Sequence, residues 1–198
     1  MQGYATPAAA AIFIATIAIS LLALHRMPEL LQRFVMRPYD IAHGKNSYTV
    51  ISSGFVHGDM GHLLFNMITF FFFAFPMERF LGTARFFVLY TVGLIMSSLC
   101  SVVKHRNNPA YGTLGASGAI SAVLFAYVVY FPDHTLLIFF VPMPALLFAI
   151  LYVAYSWYSA RQQVGNINHD AHLCGALAGL LFVFVIDPQA YVRLANSL

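Results

Sequence analysis

Apolar residues in this chain do not recur at a helical or strand spacing against a polar background; they fill whole stretches. Such runs lie at about 8–24, 55–80, 85–103, 115–131, 142–158 and 167–186. A helix that is apolar all round faces lipid or protein on every side, and crossing a hydrocarbon layer takes about 20 residues. The pattern predicts six transmembrane helices in an all-α polytopic membrane protein, with residues 1–198 as a single membrane domain.

The breaks between the runs carry the remaining organisation. The longest covers residues 25–53, where Leu30, Leu31, Phe34 and Val35 share one face of a short helix while Glu29, Gln32 and Arg33 fall elsewhere. Such a segment suits the membrane interface, and a connection this long is often functional. The third run ends at Lys104-His105-Arg106-Asn107-Asn108-Pro109 and the fourth at Phe131-Pro132-Asp133. His134 to Val141 is too short to span, and Pro142 and Pro144 stand where a fifth helix would begin. Residues 159–168 read as a polar turn before the sixth run.

Composition narrows the class further. Hydrophobic residues make up 60% of the 198 positions and charged ones 9%, with a mean hydropathy of +0.75. A soluble globule needs more charge than that to meet water. The ten Lys and Arg residues are scattered, so no basic stripe offers itself to nucleic acid, and the lipid bilayer is the expected surrounding. Cys100 and Cys174 both sit in apolar runs and read as small packing residues rather than a disulfide or metal pair. No Lys or Arg precedes the first run, which therefore reads as a retained span rather than a cleaved signal.

Six spans imply that the second, fourth and sixth run in the same direction, with their N-terminal ends in one leaflet. All three carry polar residues near those ends: His57, His62 and Asn66; Ser117 and Ser121; His169, Asp170 and His172. Ionisable groups inside a bilayer are costly and face a partner or a watery cavity. His62 and Asn66 share a helix face. Ser117 and His172, each a few residues inside its helix, are expected at matching depth. A serine within reach of a neutral imidazole is an activated nucleophile. An Asn amide, a His N–H and the backbone at a helix start are donors suited to an oxyanion. Gly115 and Gly118 clear space beside the serine, and His172, Gly175 and Gly179 form a small-residue stripe for close helix contact. Each feature alone is commonly structural; it is their joint placement on three co-directional helix starts that points to chemistry.

These residues carry a resemblance. Gly115-Ala116-Ser117-Gly118, preceded by His57-Gly-Asp-Met-Gly-His62-Leu-Leu-Phe-Asn66 and followed by Ala171-His172-Leu-Cys-Gly175-Ala-Leu-Ala-Gly179, resembles the rhomboid family of intramembrane serine proteases, bacterial type. The resemblance implies the six-helix core, no cofactor, and single-span transmembrane proteins as substrates. It implies Ser117 as nucleophile and His172 as general base, without an acid. His62 and Asn66, with the Ser117 N–H, would line the oxyanion hole, and His57 would help hold the first loop. Glu78 and Gly82 resemble the Glu-x-x-x-Gly that closes the second helix of relatives. Where many relatives place an aromatic residue one turn after the serine, stacked on the histidine, this chain has Ser121. Tyr48-Thr49 stands where some relatives have Trp-Arg.

Two rivals remain open at this point. The histidines suggest a metal site, but no His-Glu-x-x-His occurs, and His57 and His62 do not share a helix face. A noncatalytic rhomboid-like binding protein would be expected to lose Ser117 or His172, and both are present. Asp170 lies about 200° around the helix from His172 and is rejected as a third triad member. The resemblance implies a bacterial inner membrane with the active site on the extracytoplasmic side. The charge pattern disagrees: Arg26, Arg33, Arg37, Lys45, Lys104, Arg106 and Arg161 would lie on that side, against Arg79, Arg85 and Arg193 on the other.

Overall fold

The computed structural model describes residues 5–138, 141–162 and 168–196. Six apolar helices follow the six runs: α1 (Pro7–His25), α5 (Met60–Leu81), α6 (Thr83–His105), α7 (Ser117–Tyr130), α8 (Ala145–Gln162) and α9 (His169–Ile186). Of these, α1, α5, α6 and α9 are long and apolar enough to cross a membrane, while α7 and the apolar part of α8 are shorter. The chain is a polytopic, essentially all-helical membrane protein. The sixth run was expected from residue 167, which lies outside the described residues; the helix is described from His169.

Shorter elements fill the first long connection: α2 (Pro28–Phe34), α3 (Pro38–Ala42), α4 (Thr49–Ser52) and a single 3₁₀ turn at Ser53–Phe55. The segment therefore folds as a unit. Met36 pairs with Thr113, joining it to the loop that precedes α7. A last helix, α10 (Gln189–Asn196), follows α9.

Several boundaries differ from the expected runs: α5 begins at Met60 rather than near 55, which leaves His57 in the segment before it, and α7 begins at Ser117 rather than near 115. Thr135–Ile138 (β1) pairs antiparallel with Val141–Pro144 (β2), in the register Thr135 to Pro144 and Leu136 to Met143. Pro142 and Pro144 therefore lie in an edge strand, which tolerates a missing N–H, and α8 begins at Ala145. It then continues to Gln162 through what read as a polar turn.

At the centre stands α7. Every residue from Gly118 to Val129 is buried, because α6 and α9 press on it through glycines. A Cβ at Gly93 of α6 would lie 2.4 Å from Ala122 Cβ, and one at Gly179 of α9 would lie 2.1 Å from the Ala122 carbonyl oxygen. At ~1.5 Å per residue, α7 is roughly 21 Å long, short of the ~30 Å hydrocarbon layer. Loop 106–116 leads into its start and is held by Gly115 N–H donating to Ser53 O at 2.9 Å.

α1 is fixed at both ends. The buried Glu78 carboxylate near the end of α5 accepts from Ala8 N–H (3.1 Å) and Ala9 N–H (2.6 Å), where the helix start leaves donors unpaired and carries positive dipole. At its other end, Ser20 binds the segment that leads into α5.

Cys100 of α6 and Cys174 of α9 form a disulfide, with Cα atoms 6.5 Å apart. This corrects the packing role read from the sequence. The two apolar runs gave no sign of adjacency, but the small-residue faces bring α6 and α9 within bridging distance.

Candidate active site

The starts of α5, α7 and α9 meet at one end of the bundle, and each is shaped by local chemistry. Asp59 caps α5 by accepting from His62 N–H at 2.8 Å. Asn168 caps α9, its Oδ1 accepting from Ala171 N–H at 3.1 Å. The same side chain donates to Ser101 Oγ of α6 (2.7 Å) and Thr113 Oγ1 (3.2 Å). One residue thus fastens the histidine-bearing helix to α6 and to the loop before the serine.

Ser117 is the first residue of α7 rather than lying a few residues inside it. The first N–H groups of a helix have no acceptor within it, so the serine's own N–H and that of Gly118 are donors at the site. Gly115, two residues earlier, has φ +107°, a left-handed conformation that favours glycine. His62 lies over it: a Cβ there would stand 2.8 Å from His62 Nε2.

His172 Nε2 lies 2.7 Å from Ser117 Oγ. The approach is enforced by backbone contact. A Cβ on Gly118 would sit 2.2 Å from Ser97 Oγ, and one on Gly175 would sit 2.0 Å from the Gly118 carbonyl oxygen. Gly118, Gly175 and Gly179 therefore let α6, α7 and α9 close on each other, and the serine and histidine share a depth.

Asn66 is buried one turn along α5 from His62, and its Nδ2 donates to the His62 carbonyl at 3.1 Å. The geometry brings His62 to the loop before Ser117, with Asn66 aligned behind it on the same helix face.

His57 meets this group from behind His62, the two rings edge to face with centroids 4.9 Å apart. Ser20 Oγ donates to Phe55 O (3.0 Å) and lies 2.9 Å from His57 Nδ1, which makes Nδ1–H the donor to Ser20. Nε2 is then the acceptor, 3.5 Å from Ala116 N–H. His57 ties α1 to the residue before the serine. Burial is the main cause that drives its pKa down to about 3, so it stays neutral and keeps this pattern.

Asp170 turns outward to an ion pair with Lys104, so its carboxylate is engaged away from His172. His169 is buried, its ring centroid 5.8 Å from that of His172. Tyr152 of α8 lies nearly parallel to the His172 ring, with centroids 6.1 Å apart, and its hydroxyl is 2.7 Å from Ser121 Oγ. A polar cavity of about 20 Å³ beside Ser117 is lined by Ser97, Ser101, Thr113 and Asn168 among others, room for about one water. Tyr152, Asn168 and Ser97 escaped the sequence reading. An Asn immediately before a helix start is a readable cap signal; Tyr152, in an apolar run rich in aromatics, has none.

A serine and imidazole in contact, flanked by helix-start donors and a small cavity, is equipped for acyl transfer. Comparison with known proteins points to the same family as the motifs. The rhomboid domain profile matches residues 44–189. The chain is 30% identical over 165 residues to "RHOMBOID-like protein 12, mitochondrial" of Arabidopsis thaliana, covering 73% of this chain and 49% of that protein. It is 30% identical over 177 residues to "Rhomboid protein 1, mitochondrial" of Saccharomyces cerevisiae, covering 85% and 51%. "Rhomboid protease GlpG" of Yersinia pseudotuberculosis is 23% identical over 191 residues, covering 93% and 64%. The chain thus spans about half the length of the plant and yeast relatives.

Proposed function

The chain belongs to the rhomboid family, and from that premise we propose that it is an intramembrane serine endopeptidase cleaving single-span membrane proteins. The observation that carries this reading is the 2.7 Å contact between His172 Nε2 and Ser117 Oγ at the half-buried start of α7.

In this mechanism His172 Nε2 takes the Ser117 proton as Oγ attacks a peptide carbonyl carbon. The oxyanion that forms is met by the Ser117 N–H, His62 and the second Asn66 N–H. His172 then gives its proton to the leaving amine, leaving an acyl ester on Ser117. A water reaching the ester from the adjacent polar cavity loses its proton to His172 and attacks, and Ser117 regains a proton as the acid leaves. No cofactor takes part, and with Asp170 bound to Lys104 the site works as a dyad.

We place the active-site end on the extracytoplasmic side. The Cys100–Cys174 disulfide lies near that end, and disulfides persist in oxidising compartments. The bacterial inner membrane implied by the motifs draws no support from the plant and yeast relatives, which carry mitochondrial names.

The test is cleavage of a panel of single-span substrates in proteoliposomes. Ser117→Ala and His172→Ala should each abolish it, and combining them should cost little more, since residues that act as a unit are non-additive. Chelators should leave it intact. Activity lost in chelator and restored by zinc would revive the metal reading; folded protein that binds the panel but never cleaves would make it a noncatalytic relative.

A further inference from the structure

We propose that Tyr152 is the positioning residue for His172, and that its hydrogen bond to Ser121 couples the placement of α8 to the competence of the dyad; this rests on the Ser117–His172 reading. An imidazole that accepts a proton at Nε2 needs its ring plane fixed, a task that a carboxylate on Nδ1 performs in a triad. Here Asp170, the nearest carboxylate in sequence, is paired with Lys104. What flanks the His172 ring is aromatic: Tyr152 at 6.1 Å and 26°, and His169 edge-on at 5.8 Å and 77°. Both distances suit offset or edge packing, and the near-parallel Tyr152 ring is the wall that defines the plane.

Tyr152 is itself held. Ser121 Oγ donates to the Ser117 carbonyl at 2.8 Å, which leaves its lone pair for the Tyr152 O–H at 2.7 Å. A closed circuit results: Ser117 to Ser121 along α7, Ser121 to Tyr152 across to α8, Tyr152 to His172 by ring contact with α9, and His172 back to Ser117. A serine bonding its own helix one turn back is ordinary. A tyrosine hydroxyl from another helix closing on that serine, with its ring on the general base, is a specific arrangement. Ala145, Ala149 and Ser156, buried on α8, lie on the same helical face as Tyr152, so this face is the one turned to the bundle. Alongside this face, an apolar cavity of about 520 Å³ borders α8 over residues 146–157, lined by Phe125, Leu146, Ile150, Val153 and Leu180 among others. The Tyr152 contact thus fixes α8 against the site beside that cavity.

The test compares Tyr152→Phe, Tyr152→Leu and Ser121→Ala by steady-state cleavage, by the rate of fluorophosphonate labelling at Ser117, and by melting in detergent. Wild-type cleavage and labelling report on the dyad itself; their absence would sink the dyad reading and not this one alone. Tyr152→Leu should lower kcat and labelling about 30- to 100-fold with KM little changed. Tyr152→Phe, which keeps the ring, should recover most of that and remain about three- to tenfold below wild type. Ser121→Ala should match Tyr152→Phe, and the double variant should be no worse than either. A raised KM with normal kcat in Tyr152→Leu would make Tyr152 a substrate contact and overturn the proposal. So would faster cleavage in any of the three, or additive losses in the double variant. Should Tyr152→Leu fail to fold, Tyr152→Phe and Ser121→Ala decide: unchanged labelling in both refutes the hydroxyl latch.

Discussion

The Asn66 amide donates one hydrogen to the His62 carbonyl, which fixes the carboxamide and leaves its second N–H for the site. A donor to an oxyanion matters chiefly when charge develops, so Asn66→Ala should keep its fold and KM while kcat falls about 10²–10³-fold. Asn66→Asp should be at least as slow, since a carboxylate repels the oxyanion. Kinetics per folded molecule check this; normal turnover with a lowered melting temperature would make Asn66 inter-helix glue. His57 has a different consequence. Its native pKa, about 3, lies below the ordinary 6.5, so the unfolded chain binds the extra proton between those values. Its contribution is therefore present above about pH 6.5 and is lost as pH falls toward 3. Melting followed against pH should show that loss, and His57→Gln should flatten it. Both residues were legible in the sequence as buried polar groups. The Ser20 partner of His57 was not, because a serine within an apolar run carries no signal of what it faces.

At the scale of the helix, α7 depends on backbone contact rather than on side-chain fit. Gly175 meets the Gly118 carbonyl so closely that any Cβ must part α7 from α9. Gly175→Ala is expected to destabilise the protein in detergent by about 1–3 kcal/mol or more and to cut cleavage sharply, because Ser117 and His172 flank that contact. Leu177→Ala, on the exposed face of the same helix, should change both little. Wild-type stability in Gly175→Ala would show that the two helices have slack. The six helices were readable because uniform apolar runs have few other solutions in lipid. Two things were hidden. The β1–β2 hairpin hid because prolines at 142 and 144 suit a helix start as well as an edge strand. The Tyr152 contact hid because it is settled by how α8 turns, which a uniformly apolar helix does not declare.

Across the whole molecule, the disulfide joins α6 to α9 over a sequence separation of 74 residues. In the chain-entropy picture a loop of that size is worth about 4 kcal/mol. Reduction, or Cys100→Ser, should therefore lower the melting temperature clearly; an unchanged melt would return the two cysteines to the packing role their surroundings suggested. Orientation could not be read from charge, because several of the basic residues on the disputed side belong to the folded 25–53 segment and to the ends of α6 and α8 rather than to free loops. A reporter fused behind α10 should be active only as a cytoplasmic or matrix-side protein; an exported reporter would reverse the orientation. The central claim, that Ser117 is activated by His172, is tested most directly by covalent labelling. Purified protein treated with a fluorophosphonate and mapped by mass spectrometry should carry one adduct, on Ser117, absent from Ser117→Ala and nearly absent from His172→Ala. An adduct elsewhere, or labelling of Ser117 that proceeds equally well without His172, would contradict it.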